Sequence, residues 1–336
     1  MKIFKVGGAI RDELLGLTPD ESDWVVIDSS PEEMFSKGFK KIGKDFPVFL
    51  HPKTKEAYAL GRKEKKVGKK HGDFEFVFDK TISLEEDLQR RDLTINAIAQ
   101  NENGDLIDPF GGVDDLKNKV LRHVSESFFE DSLRALRLAR FYAKFTDFKI
   151  HESTKKVLQK ISQSGELHYL SGERVWEETS KALKYDFSRF LEVITNFNLQ
   201  EPWFSKLIKI PKIIDQRPEI ALSQVNQANE FDFCLKLKKY MPKKIIHHQK
   251  IWKQIQRFNK KSSFDDKFIF FSSFLNDKNR VIFLEIIKYF DDKKEYCCNI
   301  IDEITKTDFT DLTSLKYDEI ETIKKRKIIS IIKRYE

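Results

Sequence analysis

Cysteine is scarce in this chain of 336 residues, which contains only three. They are Cys234, Cys297 and Cys298, and no two of them form a Cys-x-x-Cys pair. Without that spacing the sequence indicates neither a structural zinc site nor a disulfide framework. A reducing compartment fits this usage.

Long apolar runs are also missing. No stretch reaches the roughly 20 apolar residues that a membrane-spanning helix needs. The first residues, MKIFKVGGAIRDELL, lack the apolar region of a secretory signal peptide and are typical of a strand, a glycine turn and a helix. The sequence therefore predicts a cytoplasmic protein without membrane segments.

Charged and aromatic residues, in contrast, are abundant. The chain is 34% charged and 40% hydrophobic and contains 29 Phe, which indicates a folded, globular protein. Its length allows two or three domains and a sizeable core. The net charge of +7 suggests a polyanionic partner, although a generally lysine-rich composition explains the same charge.

Apolar patterns divide the chain into an α/β part and a helical part. Short strand patterns predict strands at 2–6, 23–28, 47–51 and 56–60, with a helix at 9–15 and another that Ser30 caps. Residues 83–100 predict a mostly helical segment with a Ser83/Glu86 capping box, and Asn103-Gly104 predicts a tight turn. Helical spacing dominates from about Leu116 onward.

The segment GRKEKKVGKKHGD (61–73) differs from its neighbours. It carries three glycines, dense lysine and no apolar periodicity. These features predict a mobile loop.

The Gly7-Gly8 turn between the first strand and helix can approach an anion closely. Backbone N–H groups at a helix start point outward, and glycine leaves room for a phosphate. Arg11, one turn inside the helix, adds a charged fork. The pattern is neither a P-loop nor a GxGxxG fingerprint, and a purely structural turn explains it as well.

Four acids surround the apolar run of TPDESDWVVID (18–28). Side chains at i and i+2 of a strand share a face, so Glu21 and Asp23 can point together while Asp20 points away. Asp28 lies beyond the apolar run. Two carboxylates on one face suit Mg²⁺, which would polarise the α-phosphate of a nucleotide. A solvated acidic turn is the alternative.

A polar stripe is predicted in EDSLRALRLARF (130–141). Asp131, Arg134, Arg137 and Arg140 recur every three residues of a predicted helix. Ion pairs on a solvent face are the simple explanation. Three arginines to one aspartate nevertheless leave excess positive charge, and arginine suits bidentate recognition of phosphates and bases.

Five motifs in unbroken order then give the chain a specific resemblance over roughly residues 1–180. They are VGGAIRDELLG with the acidic strand, RRDLTINAIA (90–99), DPFGGVDDL (108–116), EDSLRALRLARF (130–141) and LSGERVWEE (170–178). In this order they resemble the motifs of class II tRNA nucleotidyltransferases, the CCA-adding enzymes of the polymerase β-like superfamily. The resemblance implies an α+β fold, with a small nucleotidyltransferase head of mixed sheet and helices before an all-helical neck and body. The expected parts are a catalytic head at 1–115, a neck with the base-recognition motif at 116–190, and a tRNA-binding body at 191–336.

The same resemblance implies residue roles. Glu21 and Asp23 would be catalytic and hold Mg²⁺. The nucleotide-binding residues would be Gly8 and Arg11 on the triphosphate, Arg91 on triphosphate or ribose, Asp131 and Arg134 on the base, and Arg137 and Arg140 in support. Asp92 and Asn96 would brace the site, while Asp108, Pro109 and Gly111 would shape a turn.

The implied reaction is template-independent addition of CCA to the 3′ end of tRNA from CTP and ATP. An enzyme that adds only A, or a poly(A) polymerase, shares these motifs and stays an alternative. A non-catalytic tRNA-binding paralogue is an alternative of another class. The segment 61–73 aligns with a family loop linked to adding the terminal A, which argues against a CC-only enzyme. No obligate protein partner is evident.

Two departures from the family pattern stand out. The family usually has Asp at both metal positions, whereas this chain has Glu21. Because glutamate is one methylene longer and Mg²⁺ demands near-octahedral geometry, we expect a reduced rate or an altered metal preference. Longer relatives also carry an HD-type phosphohydrolase domain, and that activity is not expected here. We predict that His247 and His248 lie on a helix surface.

Overall fold

The structure is a computed structural model, and it describes residues 1–19, 21–42, 48–66, 74–77, 81–229, 233–307 and 317–336. Two compact units divide the chain. Unit 1 contains Met1–Lys212 and Phe233–Tyr240, and unit 2 contains Ile213–Asp232 and Met241–Glu336. The mixed-sheet head followed by helices confirms the predicted α+β class. The predicted boundaries of head, neck and body stay a prediction.

A seven-stranded sheet organises the first part of unit 1. Its strand order is β3-β4-β5-β2-β1-β8-β9. These strands are β1 Lys2–Val6, β2 Asp23–Ile27, β3 Lys40–Ile42, β4 Val48–Leu50, β5 Ala57–Leu60, β8 Ala99–Gln100 and β9 Leu106–Ile107. The four predicted strands are therefore confirmed. Among the described residues, two smaller sheets pair β6 Lys63–Lys66 with β7 Phe74–Val77 and β10 Val120–Leu121 with β11 Lys149–Ile150.

The register of the central strands brings the glycine turn beside the acidic stretch. Strand β1 is antiparallel to β2, and Val6 lies opposite Asp23. Strand β5 is parallel to β2, and Ala57 lies opposite Asp23. The chain leaves β1 at Val6 for Gly7, so the start of β2 and the start of the first helix lie at one edge of the sheet.

Eight α-helices of unit 1 are described: α1 Gly8–Leu14, α2 Pro31–Ser36, α3 Leu84–Gln89, α4 Gly112–Lys117, α5 Leu133–Lys144, α6 Glu152–Ser164, α7 Gly172–Ala182 and α8 Phe187–Asn196. Single 3₁₀ segments lie at Thr94–Asn96, Glu126–Glu130, Glu166–Tyr169 and Leu235–Tyr240. Two predicted caps are confirmed. The Ser30 side chain accepts from the Glu33 N–H, and Ser83 forms the full capping box with Glu86.

The prediction that residues 83–100 are mostly helical is wrong. Helix α3 ends at Gln89, and a 3₁₀ turn and strand β8 follow. One cause is local, because the Asp92 carboxylate accepts from the Leu93 N–H at 2.8 Å and so competes with helical hydrogen bonding. The other cause is tertiary, because residues 92–99 are all buried and a one-sided helix cannot bury every side chain.

The predicted loop at 61–73 is also wrong in part. Residues 63–66 form β6, which pairs with β7 in antiparallel register, Lys63 opposite Val77 and Lys66 opposite Phe74. Backbone pairing of this kind requires no apolar periodicity, which explains why the pattern missed it. Residues 67–73 lie outside the described residues.

Motif DPFGG forms the predicted turn before α4. The Asp108 carboxylate accepts from the Gly112 and Val113 N–H groups at 2.7 and 2.8 Å. Gly111 has a φ of 70°, which glycine adopts without the steric cost of a side chain.

We expect Gly112→Ala to destabilise unit 1 by about 1–3 kcal/mol. A Cβ at this position would lie 2.2 Å from the Thr94 carbonyl oxygen and 2.8 Å from Ile98 Cγ1, so buried backbone must shift. Urea unfolding measures the change. Lys117→Ala, at the exposed end of the same helix, is the control and should alter stability by less than about 0.5 kcal/mol. An unchanged stability of Gly112→Ala would contradict the close packing.

Unit 2 is helical in its described residues. Its helices are α9 Pro218–Ala228, α10 Lys243–Arg257, α11 Phe264–Ser272, α12 Asp277–Ile287, α13 Asp291–Lys306 and α14 Tyr317–Lys333. Isoleucine and phenylalanine dominate its core, in which Trp252, Phe271 and Phe283 are almost fully buried. None of the described helices combines the length and apolar character needed to cross a bilayer.

The prediction of a surface position for both histidines of α10 is wrong for one of them. His248 is 2% exposed, and its ring nitrogens face the Lys244 carbonyl and the Glu285 carboxylate. His247 is half-buried and contacts Asn279. Both histidines thus contact α12, and only His248 is buried, because neighbouring positions of a helix point in different directions.

Candidate active-site cleft

A cleft of about 710 Å³ opens in unit 1 between the sheet edge and helix α5. Eight arginines and three aspartates line it: Arg11, Arg62, Arg90, Arg91, Arg134, Arg137, Arg140 and Arg174, with Asp23, Asp92 and Asp131. Gly7 and Gly8 line it as well. The excess of arginine makes the cleft strongly cationic, which suits a polyphosphate or nucleic-acid ligand.

The glycine turn forms one side of this cleft. Gly7 has a φ of 75°, and a Cβ there would lie 2.9 Å from Arg91 Nη1. Arg11 is buried and donates to the Asn96 side chain at 2.6 Å and to Asp12 at 2.9 Å. Burial lowers the pKa of Arg11 from its ordinary value, and Asp12 opposes that change. The turn and its arginine are thus held by surrounding contacts before any ligand binds.

The acidic stretch reaches the cleft through Asp23. This residue is the first of β2, and it lines the cleft. Glu21 lies before the strand and shares a neighbouring depression of about 460 Å³ with Asp23 and Glu56. Because Glu21 is not part of the strand, the rule that side chains at i and i+2 share a strand face does not apply to Glu21 and Asp23. The role of Glu21 stays a prediction. Asp20 lies outside the described residues, and Asp28 follows the far end of β2.

The RRD motif places charged groups behind the glycine turn. Arg91 donates to Asp87 at 3.2 Å, and its buried Nε has no hydrogen-bond partner in the described part of the chain. Burial acts to raise the pKa of Asp92, yet the Arg137 guanidinium and the Asn96 amide hold it well below its usual range. Asp92 is therefore ionised and fixes Arg137 at 2.8 Å. The predicted bracing contacts of Asp92 and Asn96 are present.

The base-recognition motif is only partly helical. Helix α5 begins at Leu133, and Asp131 precedes it in extended backbone, so the predicted helical stripe holds for the arginines only. Asp131 accepts from Arg174 at 2.9 and 3.4 Å. Arg134 donates to the Ser127 carbonyl at 2.7 Å. Both side chains line the cleft near its helical wall.

Arg137 and Arg140 share a carboxylate that the sequence motifs did not reveal. Glu178, 3% exposed on α7, accepts from Arg140 at 2.6 Å and lies 3.6 Å from Arg137. Arg140 also lies over the Phe141 ring, 4.1 Å from its centre. These contacts orient both arginines along α5, which agrees with a supporting role.

The sequence motifs thus predicted most of the charged cleft residues and their partners but missed six: Asp12, Arg62, Asp87, Arg90, Arg174 and Glu178. The last two stand inside the motif LSGERVWEE, whose residues received no predicted roles. Arg90 is the first residue of RRD, and Asp87 precedes it by one helical turn. From the sequence, only the rule that opposite charges three positions apart can pair on a helix could have indicated Asp87.

Two family models match the chain. The model described as "Poly A polymerase head domain" matches residues 3–122. The model described as "Probable RNA and SrmB- binding site of polymerase A" matches residues 147–209. Together they cover the sheet and most of the helices of unit 1.

Curated relatives are similar over the same region and beyond. The "CCA-adding enzyme" of Coxiella burnetii (strain RSA 493 / Nine Mile phase I) is 57% identical over 183 residues, 54% of this chain and 49% of the relative. The "Multifunctional CCA protein" of Acinetobacter baumannii (strain SDF) is 42% identical over 276 residues, 74% of this chain and 67% of the relative. The chain thus spans about half the length of the first of these relatives and two thirds of the second.

Solved structures share the fold. The CCA-adding enzyme of Bacillus stearothermophilus, solved in complex with CTP, has a TM-score of 0.68 at 21% identity, and the match covers 98% of this chain and 88% of that one. A tRNA-processing enzyme in an apo form has a TM-score of 0.63 at 23% identity, covering 98% and 93%. From the ordered motifs, the cleft and the Acinetobacter relative, we conclude that the chain belongs to the class II CCA-adding tRNA nucleotidyltransferase family.

Proposed function

We propose that this protein adds CCA to the 3′ end of tRNA, using CTP and ATP without a nucleic-acid template. One observation carries the proposal: a single cleft joins Asp23, the glycine turn with Arg91, and the Asp131 and Arg134 side chains. The 3′-hydroxyl of the RNA would attack the α-phosphate. That attack forms the O3′–Pα bond, breaks the bond from Pα to the bridging oxygen, and releases pyrophosphate and the hydroxyl proton.

Asp23 and Glu21 are the proposed holders of Mg²⁺. The ion usually binds through one or two carboxylates together with substrate phosphates and water. Asp23 is exposed, lines the cleft, and shares its neighbouring depression with exposed Glu21, so the donor set fits this ion. When bound, Mg²⁺ supplies charge neutralisation at the phosphates and a more acidic hydroxyl. Among the described residues no group of three metal-binding side chains occurs.

The phosphates of the nucleotide would lie between the glycine turn and two arginines. Gly8 allows close approach, and Arg11 and Arg91 supply donors whose positions are already fixed by Asn96 and Asp87. Preorganised donors of this kind stabilise developing charge without reorganising during the reaction. Arg137 and Arg140 support the same wall through Asp92 and Glu178.

Asp131 and Arg134 would select the base. Cytosine and adenine both present an amino donor beside a ring-nitrogen acceptor, which an aspartate and an arginine can pair. Guanine and uracil carry the opposite polarity at these atoms and leave both protein groups unpaired, at about 1–3 kcal/mol each. The arrangement explains selection of two bases out of four, and it leaves the order C, C, A to other features.

The tRNA partner is supported by helix α10 of unit 2. Its 15 residues include four lysines and an arginine but no Asp or Glu. Lys243, Lys250 and Arg257 are exposed and stand seven residues apart, so they share one face. A one-sided row of cations suits the phosphates of an RNA duplex, which proteins contact by shape rather than by sequence.

Replacing Lys243, Lys250 and Arg257 together by glutamine is expected to weaken tRNA binding and to reduce its salt dependence. For every phosphate that the variant no longer neutralises, the slope of log K against log [salt] should become shallower by roughly 0.9. Filter binding of tRNA at several salt concentrations measures the slope. CTP binding at the cleft of unit 1 is the control and should not change. An unchanged slope would remove α10 from the RNA-binding surface.

Product length decides between the proposed activity and its alternatives. Transcripts of tRNA ending before, within or just short of CCA are incubated with labelled CTP and ATP. The proposal predicts completion of CCA on each transcript and then arrest. Addition of A alone indicates an A-adding enzyme, long A tails indicate a poly(A) polymerase, and tRNA binding without incorporation indicates a non-catalytic paralogue. We also propose a cytoplasmic location, which suits a tRNA substrate and three free cysteines.

A further inference from the structure

One buried carboxylate lies behind two of the cleft arginines. Asp87, in the last turn of α3, is 0% exposed. Its Oδ1 accepts from Arg90 Nη2 at 2.7 Å and Nε at 3.2 Å, and its Oδ2 accepts from Arg91 Nη2 at 3.2 Å. A single side chain thus bridges two consecutive guanidinium groups.

The Asp87 carboxylate offsets the repulsion between the two arginines of the RRD motif. Arg90 and Arg91 are neighbours in sequence, and their like charges repel each other. Burial acts to raise the pKa of Asp87, but both arginines and nearby Arg62 hold it below its ordinary value, so the carboxylate stays ionised. An ionised acid at the centre of the arginines lets them lie close together.

Both arginines also reach the cleft. Their side chains are 17% and 20% exposed, and both line the cleft wall. Each of these side chains therefore has a solvent-accessible part at the cleft wall, beside the carboxylate that holds it.

The Asn96 carbonyl holds the second arginine from the other side, accepting from Arg91 Nη1 at 3.4 Å. Arg91 Nη1 also lies against the glycine turn, where a Cβ on Gly7 would be only 2.9 Å away. Arg91 is thereby held between Asp87 and Asn96, next to the turn beside which the nucleotide phosphates are proposed to bind. A displaced Asp87 would release it from one of these two supports.

We propose that Asp87 is a positioning residue for phosphate recognition. It orients the guanidinium groups of Arg90 and Arg91, together called the double fork, so that both donate hydrogen bonds to phosphate oxygens. The oxygens belong either to the incoming nucleotide or to the 3′ end of the RNA. The inference rests on the proposed function; it adds Arg90 to the groups that contact the substrate and makes Asp87 the residue that positions both arginines.

Asp87→Asn tests the proposal because it keeps the shape of the side chain and removes the charge. Calorimetry measures binding of CTP, pyrophosphate, cytidine and tRNA lacking CCA to the full chain. Loss of a hydrogen-bond partner behind the ligands of a metal site weakens that site roughly 10- to 100-fold, and we expect a loss in the same range here. A decrease for CTP and pyrophosphate assigns the fork to the nucleotide, and a decrease for tRNA assigns it to the RNA. Cytidine binding, which involves no phosphate, should not change.

Asp115→Asn is the matched control. Asp115 is 4% exposed, and it accepts from Arg122 Nε at 2.9 Å and Nη2 at 3.0 Å, but neither residue lines the cleft. The same substitution there breaks a comparable ion pair in the same unit. If Asp87→Asn weakens the phosphate ligands no more than Asp115→Asn, or weakens cytidine equally, the proposal is wrong.

Two further variants separate positioning from folding. In an Arg90→Gln, Arg91→Gln background, Asp87→Asn should not weaken CTP or tRNA further, because the groups through which it acts are gone. If Asp87→Asn does not fold, Asp87→Glu keeps the charge but moves the carboxylate, and weaker binding is again expected. Binding by Asp87→Glu equal to that of the original chain would overturn the proposal. An original chain that binds neither CTP nor tRNA would overturn the proposed function as well.

Discussion

Asp23→Asn is expected to reduce nucleotide incorporation by roughly 10³-fold or more, for CTP and ATP alike. The substitution keeps the size of the side chain at the start of β2 and removes the charge that the proposed Mg²⁺ needs. Because Asp23 is exposed, the fold should not suffer. Single-turnover transfer of labelled nucleotide to tRNA measures the rate, and thermal unfolding checks the fold.

Asp28→Asn provides the control beyond the other end of the same strand. Asp28 has a φ of 55°, which asparagine also tolerates, and its carboxylate lies 3.8 Å from the amino terminus of Met1. Its incorporation rate should equal that of the original chain. Equal rates for Asp23→Asn and Asp28→Asn would remove Asp23 from catalysis and leave the acidic stretch as a surface turn.

The role of Glu21 is tested with the same nucleotide-incorporation assay. An ordinary rate for Glu21→Ala would refute a ligand role for that residue. If Glu21 does hold the ion, Glu21→Asp shortens the side chain to the length usual in the family, and we expect a faster rate or a shifted preference between Mg²⁺ and Mn²⁺. The ratio of rates with the two ions is the measurement.

Removing the base-recognition pair is expected to have the second large effect. In Asp131→Ala, Arg134→Ala, the preference for CTP and ATP over UTP and GTP should fall by roughly 10²-fold or more, since two hydrogen-bonding groups worth about 1–3 kcal/mol each are removed. The preference is measured as the ratio of kcat/KM values for the four nucleotides. Binding of pyrophosphate should stay unchanged, because Arg91 is held by Asn96 and Asp87 rather than by either residue.

Arg189→Ala is the control for removal of an arginine from the same helical region. Arg189 lies over the Tyr142 ring, 3.7 Å from its centre, and donates to the Tyr142 carbonyl, away from the cleft. It should keep the nucleotide preference of the original chain. A double variant that still prefers CTP and ATP would show that other groups read the base.

Most of the local signals in the sequence were informative. The strand, glycine turn and helix at residues 2–14 and the Ser83 capping box are all present, because each depends on residues a few positions apart. The Asp108 turn, which the family resemblance implied, is present as well. The sequence was misleading between Arg90 and Gln100, where burial on all sides and the Asp92 side chain replace a helix by a 3₁₀ turn and a strand. Propensity yields to tertiary packing in such segments.

The sequence by itself determined the order of the motifs, the mixed-sheet head with helices after it, and a short set of charged candidates. Only the tertiary structure decided how these charges pair. Arg174 holds Asp131 across 43 residues, Arg137 holds Asp92 across 45, and Glu178 binds Arg140 across 38. Such pairs depend on distances of a few ångströms between separate elements, because the attraction of two charges falls with their separation and rises with burial. The pattern of residues along the sequence contains neither the separation of two charges nor their burial.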